Sequence, residues 1–170
     1  PDEEHVAYVH ENNLYLQETG SGNTKAVTTE GEKNKILYGR SDWVYEEELN
    51  LVRAFEWSPD GEKVAFYRFD ESHLPTYSLN KYVDSNYPYK YTYKYPKVGE
   101  PSSHVSLHVY DVEDSDRTKI RTNPDEWEYL PRIQWTKDAD VLSYQTLNRN
   151  QNDLKLYFAN ANSGKTELIH

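Results

Sequence analysis

Three consecutive glutamates, Glu46 to Glu48, are the residues of this chain whose types and spacing most clearly suggest chemistry. They follow Ser41-Asp42-Trp43-Val44-Tyr45, where Ser41 or Asp42 can cap the first N–H groups of a short helix. Successive side chains on a helix are about 100° apart, so at most two of these carboxylates can converge on one small target. Two carboxylates on a turn that aromatic residues anchor suit a small cation such as an ammonium group. The alternative is an ordinary solvated acidic turn.

Short strand candidates recur along the rest of the chain, and long helical patterns do not. Val6–Val9 and Asn13–Leu16 are two such runs, joined by a hairpin-like connection. Ser58-Pro59-Asp60-Gly61 predicts a turn, because proline presets φ, aspartate bonds back to its own backbone and glycine accepts a positive φ. The sequence therefore predicts an all-β fold with one short helix, which carries the glutamates.

A repeat underlies these strands. Trp57-Ser-Pro-Asp-Gly and the strand after it parallel Trp135-Thr-Lys-Asp-Ala and its following strand, and a second strand of type Leu-x-Val/Leu-Tyr comes after each. Such a unit is typical of a four-stranded antiparallel meander, the blade of a β-propeller. About three blades fit in 170 residues, whereas a closed ring needs at least about four. We therefore expect a partial β-propeller, an arc of a larger ring.

One blade contains an insertion. Val64 and the matching Leu107 are 43 residues apart, whereas Val141 and Leu154 are 13 apart, and the surplus of 30 residues lies at about 69–101. Within this arm a tyrosine occupies every second position, namely Tyr87, Tyr89, Tyr91, Tyr93 and Tyr95. A period of two places all five on one face of an extended strand. That face either packs on its own blade or forms a partner surface.

Composition and charge narrow the classes of function. A formal net charge of −10 at pH 7 argues against nucleic acid or an anionic membrane as a partner. The absence of cysteine excludes disulfides and thiolate metal sites. No apolar run approaches the ~18 residues of a membrane-spanning helix, so we expect no membrane contact from this segment. His104 and His108 would share a strand face but form a weak metal site, and we predict neither a metal nor a cofactor.

Four motifs occur in order along the chain, namely Asp42-Trp43-Val44-Tyr45-Glu46-Glu47-Glu48, Arg53-Ala54-Phe55-Glu56-Trp57-Ser58-Pro59-Asp60-Gly61, Arg68-Phe69-Asp70-Glu71 and Tyr95-Pro96-Lys97-Val98-Gly99-Glu100. Together they closely resemble the N-terminal β-propeller of the dipeptidyl peptidase IV family, serine peptidases of the prolyl oligopeptidase clan. The resemblance implies that residues 1–170 are a fragment of that propeller, whose complete ring we expect to have eight blades. The start at Pro1, without an initiator methionine, also leads us to expect an excised fragment.

The resemblance implies the function of the whole enzyme, which is removal of X-Pro or X-Ala dipeptides from peptide N-termini. Glu47 and Glu48 would bind the α-ammonium group of the substrate, which is largely cationic near neutrality, and Glu46 would be structural. The arm would contribute to homodimerisation. The chain contains no Gly-x-Ser-x-Gly nucleophile elbow. The resemblance assigns the Ser-Asp-His triad to a C-terminal α/β-hydrolase domain absent from this chain, so we expect the chain alone to be inactive.

Two alternatives remain open, a tripeptidyl-type relative in the same clan and a non-catalytic propeller that serves as an interaction scaffold. We expect three partners: peptides with a free N-terminus, the chain's own hydrolase domain and a second copy. From the resemblance we expect a periplasmic, cell-surface or secreted bacterial enzyme. Arg68, Asp70 and Glu71 are predicted to form a structural ion pair at the root of the arm. Trp57 and Trp135 are predicted to lie in the core between blades.

Overall fold

The computed structural model describes residues 3–83 and 85–170, so Pro1, Asp2 and Asp84 lie outside the described residues. Within these described ranges, one α-helix, α1 (Trp43–Glu47), and one 3₁₀ turn, Pro124–Glu126, interrupt a chain that is otherwise built from strands and loops. Neither of these described helices is long and apolar enough to cross a membrane. The predicted all-β class and the short helix on the glutamate motif are confirmed.

In chain order the strands are β1 (His5–His10), β2 (Asn13–Glu18), β3 (Thr24–Ala26), β4 (Ile36–Tyr38), β5 (Phe55–Trp57), β6 (Lys63–Asp70), β7 (Thr76–Lys81), β8 (Tyr89–Lys94), β9 (His104–Asp111), β10 (Arg117–Lys119), β11 (Tyr129–Trp135), β12 (Val141–Leu147), β13 (Leu154–Asn160) and β14 (Thr166–Leu168). They form three larger antiparallel sheets and one separate hairpin. The first sheet is β1-β2-β3, the third is β11-β12-β13-β14, and the hairpin is β7-β8. The three larger sheets of the described chain do not close into a ring.

The second sheet has the order β10-β9-β6-β4, and β5 also pairs with β6. Tyr38 of β4 lies opposite Arg68, and Phe55 of β5 lies opposite Phe66. The eight-residue strand β6 is therefore long enough to hold two short strands end to end on one edge. We predicted four strands per blade, but this sheet has five and the described part of the first sheet has three.

The chain leaves this shared edge between β4 and β5 and makes the excursion that carries α1. At Gly39 the backbone N–H donates to the carbonyl of Tyr67, and the Gly39 carbonyl accepts from the N–H of Ala54, both at 3.1 Å. Gly39 has a φ of 68°, and an added Cβ would lie 3.0 Å from the side chain of Val9. Glycine is therefore required where the chain turns off the sheet.

Two buried clusters hold the sheets together. One lies between the first and second sheets, and partly buried Trp57 packs against it. The other lies between the second and third sheets and includes Trp135, whose indole N–H donates to the Glu56 carbonyl at 3.0 Å. Lys63 and Asp140 form an ion pair of 3.2 Å across the same junction. The predicted placement of both tryptophans between sheets is confirmed.

The hairpin β7-β8 lies between β6 and β9 in the chain. Its register pairs Tyr77 with Tyr93, Leu79 with Tyr91 and Lys81 with Tyr89. The prediction of one strand carrying five tyrosines is wrong in extent, because Tyr87 and Tyr95 lie outside β8. Pro88 and Pro96 flank the strand, and a proline lacks the N–H that a further ladder bond would need.

Candidate functional site

The N-terminus of α1 is capped and tied to the second sheet by Asp42. One carboxylate oxygen accepts from the backbone N–H of Tyr45 at 2.9 Å, and the other accepts from the hydroxyl of Ser103. Of the two predicted caps, Asp42 is therefore the observed one. Burial raises the pKa of the Asp42 carboxyl, although these hydrogen bonds act to lower it.

Tyr45 fixes the helix to two sheets at once. Its side chain is fully buried, and its ring centroid lies 4.9 Å from that of Phe69 in β6. Its hydroxyl accepts from the backbone N–H of Leu130 in β11 at 2.9 Å. The helix therefore sits at the junction of the second and third sheets, in a position that neither sheet could set alone.

The three glutamates project from this anchored turn with free carboxylates. Glu46 and Glu47 are the last residues of α1, and Glu48 is its C-cap. All three side chains are exposed. Within the part of the chain that the structure describes, none of them forms a hydrogen bond or an ion pair through its carboxylate. Their acceptors are therefore available to a ligand.

Glu46 and Glu47 line an open cleft of about 620 Å³ between α1 and the hairpin. We call it the helix–arm cleft; its lining also includes Leu79, Lys81, Tyr91 and Tyr93. Glu48 does not line this cleft but faces a second hollow of about 870 Å³, and Trp43 lines both. The structure thus groups Glu47 with Glu46 and places Glu48 next to a different hollow. A paired role for Glu47 and Glu48 stays a prediction.

Two lysines lie over the ring of Tyr91 in the hairpin. The ammonium nitrogens of Lys81 and Lys33 lie 4.0 and 4.7 Å from the ring centroid of Tyr91. Lys33 comes from the loop before β4, so this contact joins the arm to a distant part of the chain. A cation over an aromatic face contributes roughly 0.5–1 kcal/mol at an exposed site. The Lys33 contact therefore helps to hold the hairpin beside the loop before β4.

Arg40 and Ser41 line the cleft beside the glutamates. Sequence reasoning gave Arg40 no role and gave Ser41 only that of a possible helix cap. The Arg40 side chain is exposed, and among the described residues it has no hydrogen-bonded acceptor. The Ser41 hydroxyl is buried and has no hydrogen-bond partner within the described residues. No local signal in the sequence could have found them, because the cleft is formed by the hairpin and the first sheet as well as by α1.

The predicted ion pair at the root of the arm is partly confirmed. Arg68 and Asp70 form it, with 3.3 Å between Nη2 and Oδ2. Glu71 is not part of this ion pair. Its side chain is only 5% exposed and lines the helix–arm cleft. Burial, and then the charge of Asp42, raise the pKa of the Glu71 carboxyl to about 7, although Lys94 acts to lower it.

This raised pKa predicts a pH dependence of stability. The unfolded chain loses the proton of Glu71 near its ordinary pKa of 4.5, whereas the folded chain keeps it up to about pH 7. Ionisation therefore costs the folded state stability as the pH rises from 4.5 to 7, and the cost is complete above that range. The free energy of unfolding of Glu71→Gln, measured relative to that of the wild type, should therefore be about 1–3 kcal/mol larger at pH 8 than at pH 5.

Thermal or urea unfolding of the two proteins at both pH values would measure this gain. Glu46→Gln is the matched control, because Glu46 is an exposed carboxylate on the same cleft. As a substitution of an exposed side chain, it should change the free energy of unfolding by less than about 0.5 kcal/mol at either pH. A Glu71→Gln difference that is equally independent of pH would contradict the prediction.

The tyrosine face of the arm is divided between two environments. Tyr91, Tyr93 and Tyr95 are half-buried, and the ring of Tyr95 lies 4.3 Å from that of Trp43, centroid to centroid. Tyr89 is 50% exposed and Tyr87 is 82% exposed. The inner tyrosines thus pack back towards α1, which was one of the two alternatives. The role of the outer ones in dimerisation stays a prediction.

The histidines do not form a convergent site. His104 stacks on His73 with 4.2 Å between ring centroids. His108, two residues after Ser106 in β9, is buried. Burial lowers the pKa of its imidazole to about 4. Across residues 3–83 and 85–170, no three His, Asp or Glu side chains are grouped so that they could hold a metal ion.

Comparison with known proteins gives consistent matches over the whole chain. Residues 1–170 match the family model described as "Dipeptidyl peptidase IV (DPP IV) N-terminal region". A "Probable dipeptidyl-aminopeptidase B" of Emericella nidulans is 32% identical over 99% of this chain and 20% of its own length. One of Phaeosphaeria nodorum is 35% identical over 98% of this chain and 20% of its own length. The chain thus spans about a fifth of these curated relatives.

A solved structure is similar at the level of the fold as well. The crystal structure of Porphyromonas gingivalis dipeptidyl peptidase 4 superposes with a TM-score of 0.91 and 43% sequence identity. The match covers 98% of this chain and 24% of that one. The three sheets, the short helix and the hairpin are therefore arranged as in part of that protein.

Proposed function

This chain belongs to the dipeptidyl peptidase IV N-terminal region family, and from that premise we propose that it is the substrate-recognising part of a dipeptidyl aminopeptidase. The observation that carries the proposal is the anchored helix α1, which presents free carboxylates at the helix–arm cleft. An α-amino group has a pKa of about 7.7–8.0 and is largely cationic at neutral pH. Carboxylates at hydrogen-bond distance favour that charged form.

Glu47 is the central residue of the proposed ammonium clamp. The family resemblance pairs it with Glu48, and the lining of the cleft groups it with Glu46. Adjacent carboxylates repel one another, and a bound cation relieves that repulsion. The buried anchors at Asp42 and Tyr45 hold the turn in place, so the clamp is organised before the substrate arrives.

A clamp at a fixed position determines which peptide bond of the substrate is cleaved. If the ammonium group is held on α1, the bond that reaches a distant nucleophile is always the same number of residues from the substrate's N-terminus. We propose that the nucleophile is a serine of a C-terminal α/β-hydrolase domain, acting through an acyl-enzyme intermediate. X-Pro and X-Ala dipeptides are the proposed products, and this chain alone would have no peptidase activity.

We further propose that the arm contributes to a homodimer. Tyr87 and Tyr89, together with Tyr82 at 67% exposure, place large aromatic surfaces at the end of the hairpin. Aromatic residues are enriched in the cores of protein interfaces. The inner tyrosines that line the helix–arm cleft would then stay within their own subunit.

Cleavage of a free and a blocked substrate by the full-length enzyme tests the clamp. Gly-Pro-chromophore has the α-ammonium group, and its N-acetyl derivative has the same peptide without the charge. We expect kcat/KM for the acetylated substrate to be lower by at least about 30-fold, the effect of removing one partner of a buried charge pair. Equal cleavage of the two substrates would overturn the proposal.

A further inference from the structure

Four basic residues of the described chain line the helix–arm cleft, and they divide into two pairs. The charges of Lys94 and Arg40 both act to lower the pKa of the Glu71 carboxyl, so this pair has an acidic group close by. Lys33 and Lys81 form the other pair. Neither of their ammonium groups has a hydrogen bond or an ion pair with any described residue. The cleft thus holds two positive charges without a counter-charge, in a chain whose formal net charge is −10.

Both of these charges lie beside one aromatic ring. The ammonium nitrogens of Lys81 and Lys33 are 4.0 and 4.7 Å from the ring centroid of Tyr91. The hairpin register pairs Leu79 with Tyr91 and Lys81 with Tyr89, so Lys81 and the ring share one face of the hairpin. Lys33 comes from the loop before β4. Two like charges held near one ring repel each other, and an anion beside them relieves that repulsion.

Positive and negative charge are separated in the lining of the cleft. Glu46 and Glu47 belong to α1, whereas Lys33 and Lys81 belong to the loop before β4 and to the arm. No hydrogen bond or ion pair joins these carboxylates to these ammonium groups. A surface of separated charges favours a ligand whose own charges are complementary to it. The cleft therefore suits a ligand that carries an anionic group as well as a cationic one.

We propose that Lys33 and Lys81 form a subsite for the side-chain carboxylate of an aspartate or glutamate in a bound peptide. A carboxylate has two acceptor oxygens and an ammonium group has three donors, so one carboxylate can accept from both lysines. Leu79 and the half-buried ring of Tyr91 lie beside them and offer apolar surface to the methylene groups of such a side chain. Asparagine and glutamine have the same shape but not the charge that the lysines require.

The shared cleft is the reason for assigning the carboxylate to a peptide. Lys33 and Lys81 line the same open space of about 620 Å³ as Glu47. A peptide whose α-ammonium group is bound on α1 has its first side chains in this space. The assignment to a peptide therefore rests on the proposed function, whereas the carboxylate subsite itself rests on the two lysines.

Two small probes test the subsite on the full-length protein. N-acetyl-glutamate amide has one carboxylate and no α-ammonium group, and N-acetyl-glutamine amide has the same shape without the charge. By isothermal titration calorimetry we expect the glutamate probe to bind about three- to tenfold more tightly, the effect of two partly exposed ion pairs. Equal affinity, or no binding at about 10 mM glutamate probe, would overturn the proposal. Both probes lack a free N-terminus, so failure of the ammonium clamp would not affect this result.

Double variants with matched controls locate the binding. The variant Lys33→Gln/Lys81→Gln should bind the two probes equally, whereas Lys33→Arg/Lys81→Arg retains both charges and should retain the preference for glutamate. The control Lys35→Gln/Lys90→Gln removes one lysine from the same loop and one from the same hairpin, neither of which lines the cleft. It should keep the wild-type preference. A preference that survives in the double glutamine variant, or disappears in the control, would contradict the assignment to Lys33 and Lys81.

A peptide series then tests the link to the substrate. One glutamate is placed at position 1, 3 or 4 of a peptide with a free N-terminus and proline at position 2, and each peptide is compared with its glutamine counterpart. At one position or more, kcat/KM should be about three- to tenfold higher for glutamate. Lys33→Gln/Lys81→Gln should abolish that advantage. If glutamate has no advantage at any position, the carboxylate does not come from a bound peptide.

Discussion

Replacing Glu47 with glutamine in the full-length enzyme is expected to lower kcat/KM for Gly-Pro-chromophore by about 30- to 4000-fold. That range corresponds to the roughly 2–5 kcal/mol lost when one partner of a buried charge pair is truncated. Glutamine keeps the size of the side chain and removes its charge, so the substrate's ammonium group loses a counter-charge. Glu47 is exposed and has no partner in the described structure, so we expect folding to be unchanged.

Steady-state kinetics of the three single variants would also identify the second carboxylate of the clamp. If the pair is the one that the resemblance implies, Glu48→Gln loses activity as Glu47→Gln does and Glu46→Gln does not. If instead the pair follows the lining of the helix–arm cleft, Glu46→Gln loses activity as Glu47→Gln does and Glu48→Gln does not. The acetylated substrate gives the baseline, since its cleavage should not respond to any of the three. Wild-type kcat/KM in Glu47→Gln would mean that the glutamates are only a solvated turn.

Tyr45→Ala is expected to lower the free energy of unfolding of the propeller by about 3–5 kcal/mol, the usual cost of truncating a large buried aromatic side chain. Tyr45 is fully buried between the second and third sheets, where it contacts Phe69 and Tyr129. Tyr45→Phe keeps the ring but removes the acceptor of the Leu130 N–H. An unsatisfied buried donor costs about 1–3 kcal/mol, so this variant should lose less than the alanine variant.

Urea unfolding of the wild type and both variants would measure the two effects. Glu46→Ala is the control on the same helix, because its exposed side chain has no partner in the described structure, and it should change stability by less than about 0.5 kcal/mol. A small loss in Tyr45→Ala, similar to that of the control, would show that the helix is not held through this residue.

The sequence alone determined the features that depend on neighbouring residues. The short helix on the glutamate motif, with its cap at Ser41 or Asp42, follows from residue type and short spacing. The turn at Ser58-Pro59-Asp60-Gly61 and the period-two strands follow from the same signals. The repeat around Trp57 and Trp135 was visible because each blade repeats one supersecondary unit. The glutamates Glu46–Glu48 were recognisable as a candidate site because they lie in one uninterrupted run.

Tertiary structure decided which of these residues meet. The helix–arm cleft combines α1 with a hairpin some thirty residues later in the chain and with the loop that carries Lys33. Glu71 was predicted to be part of an ion pair but is a buried carboxyl, and its burial, followed by the charge of Asp42, raises its pKa. The division of Glu47 and Glu48 between two hollows likewise depends on where Trp43 and the arm tyrosines pack. Local spacing sets the conformation of the backbone, but burial and the electrostatic environment of a side chain depend on residues that only the fold brings near.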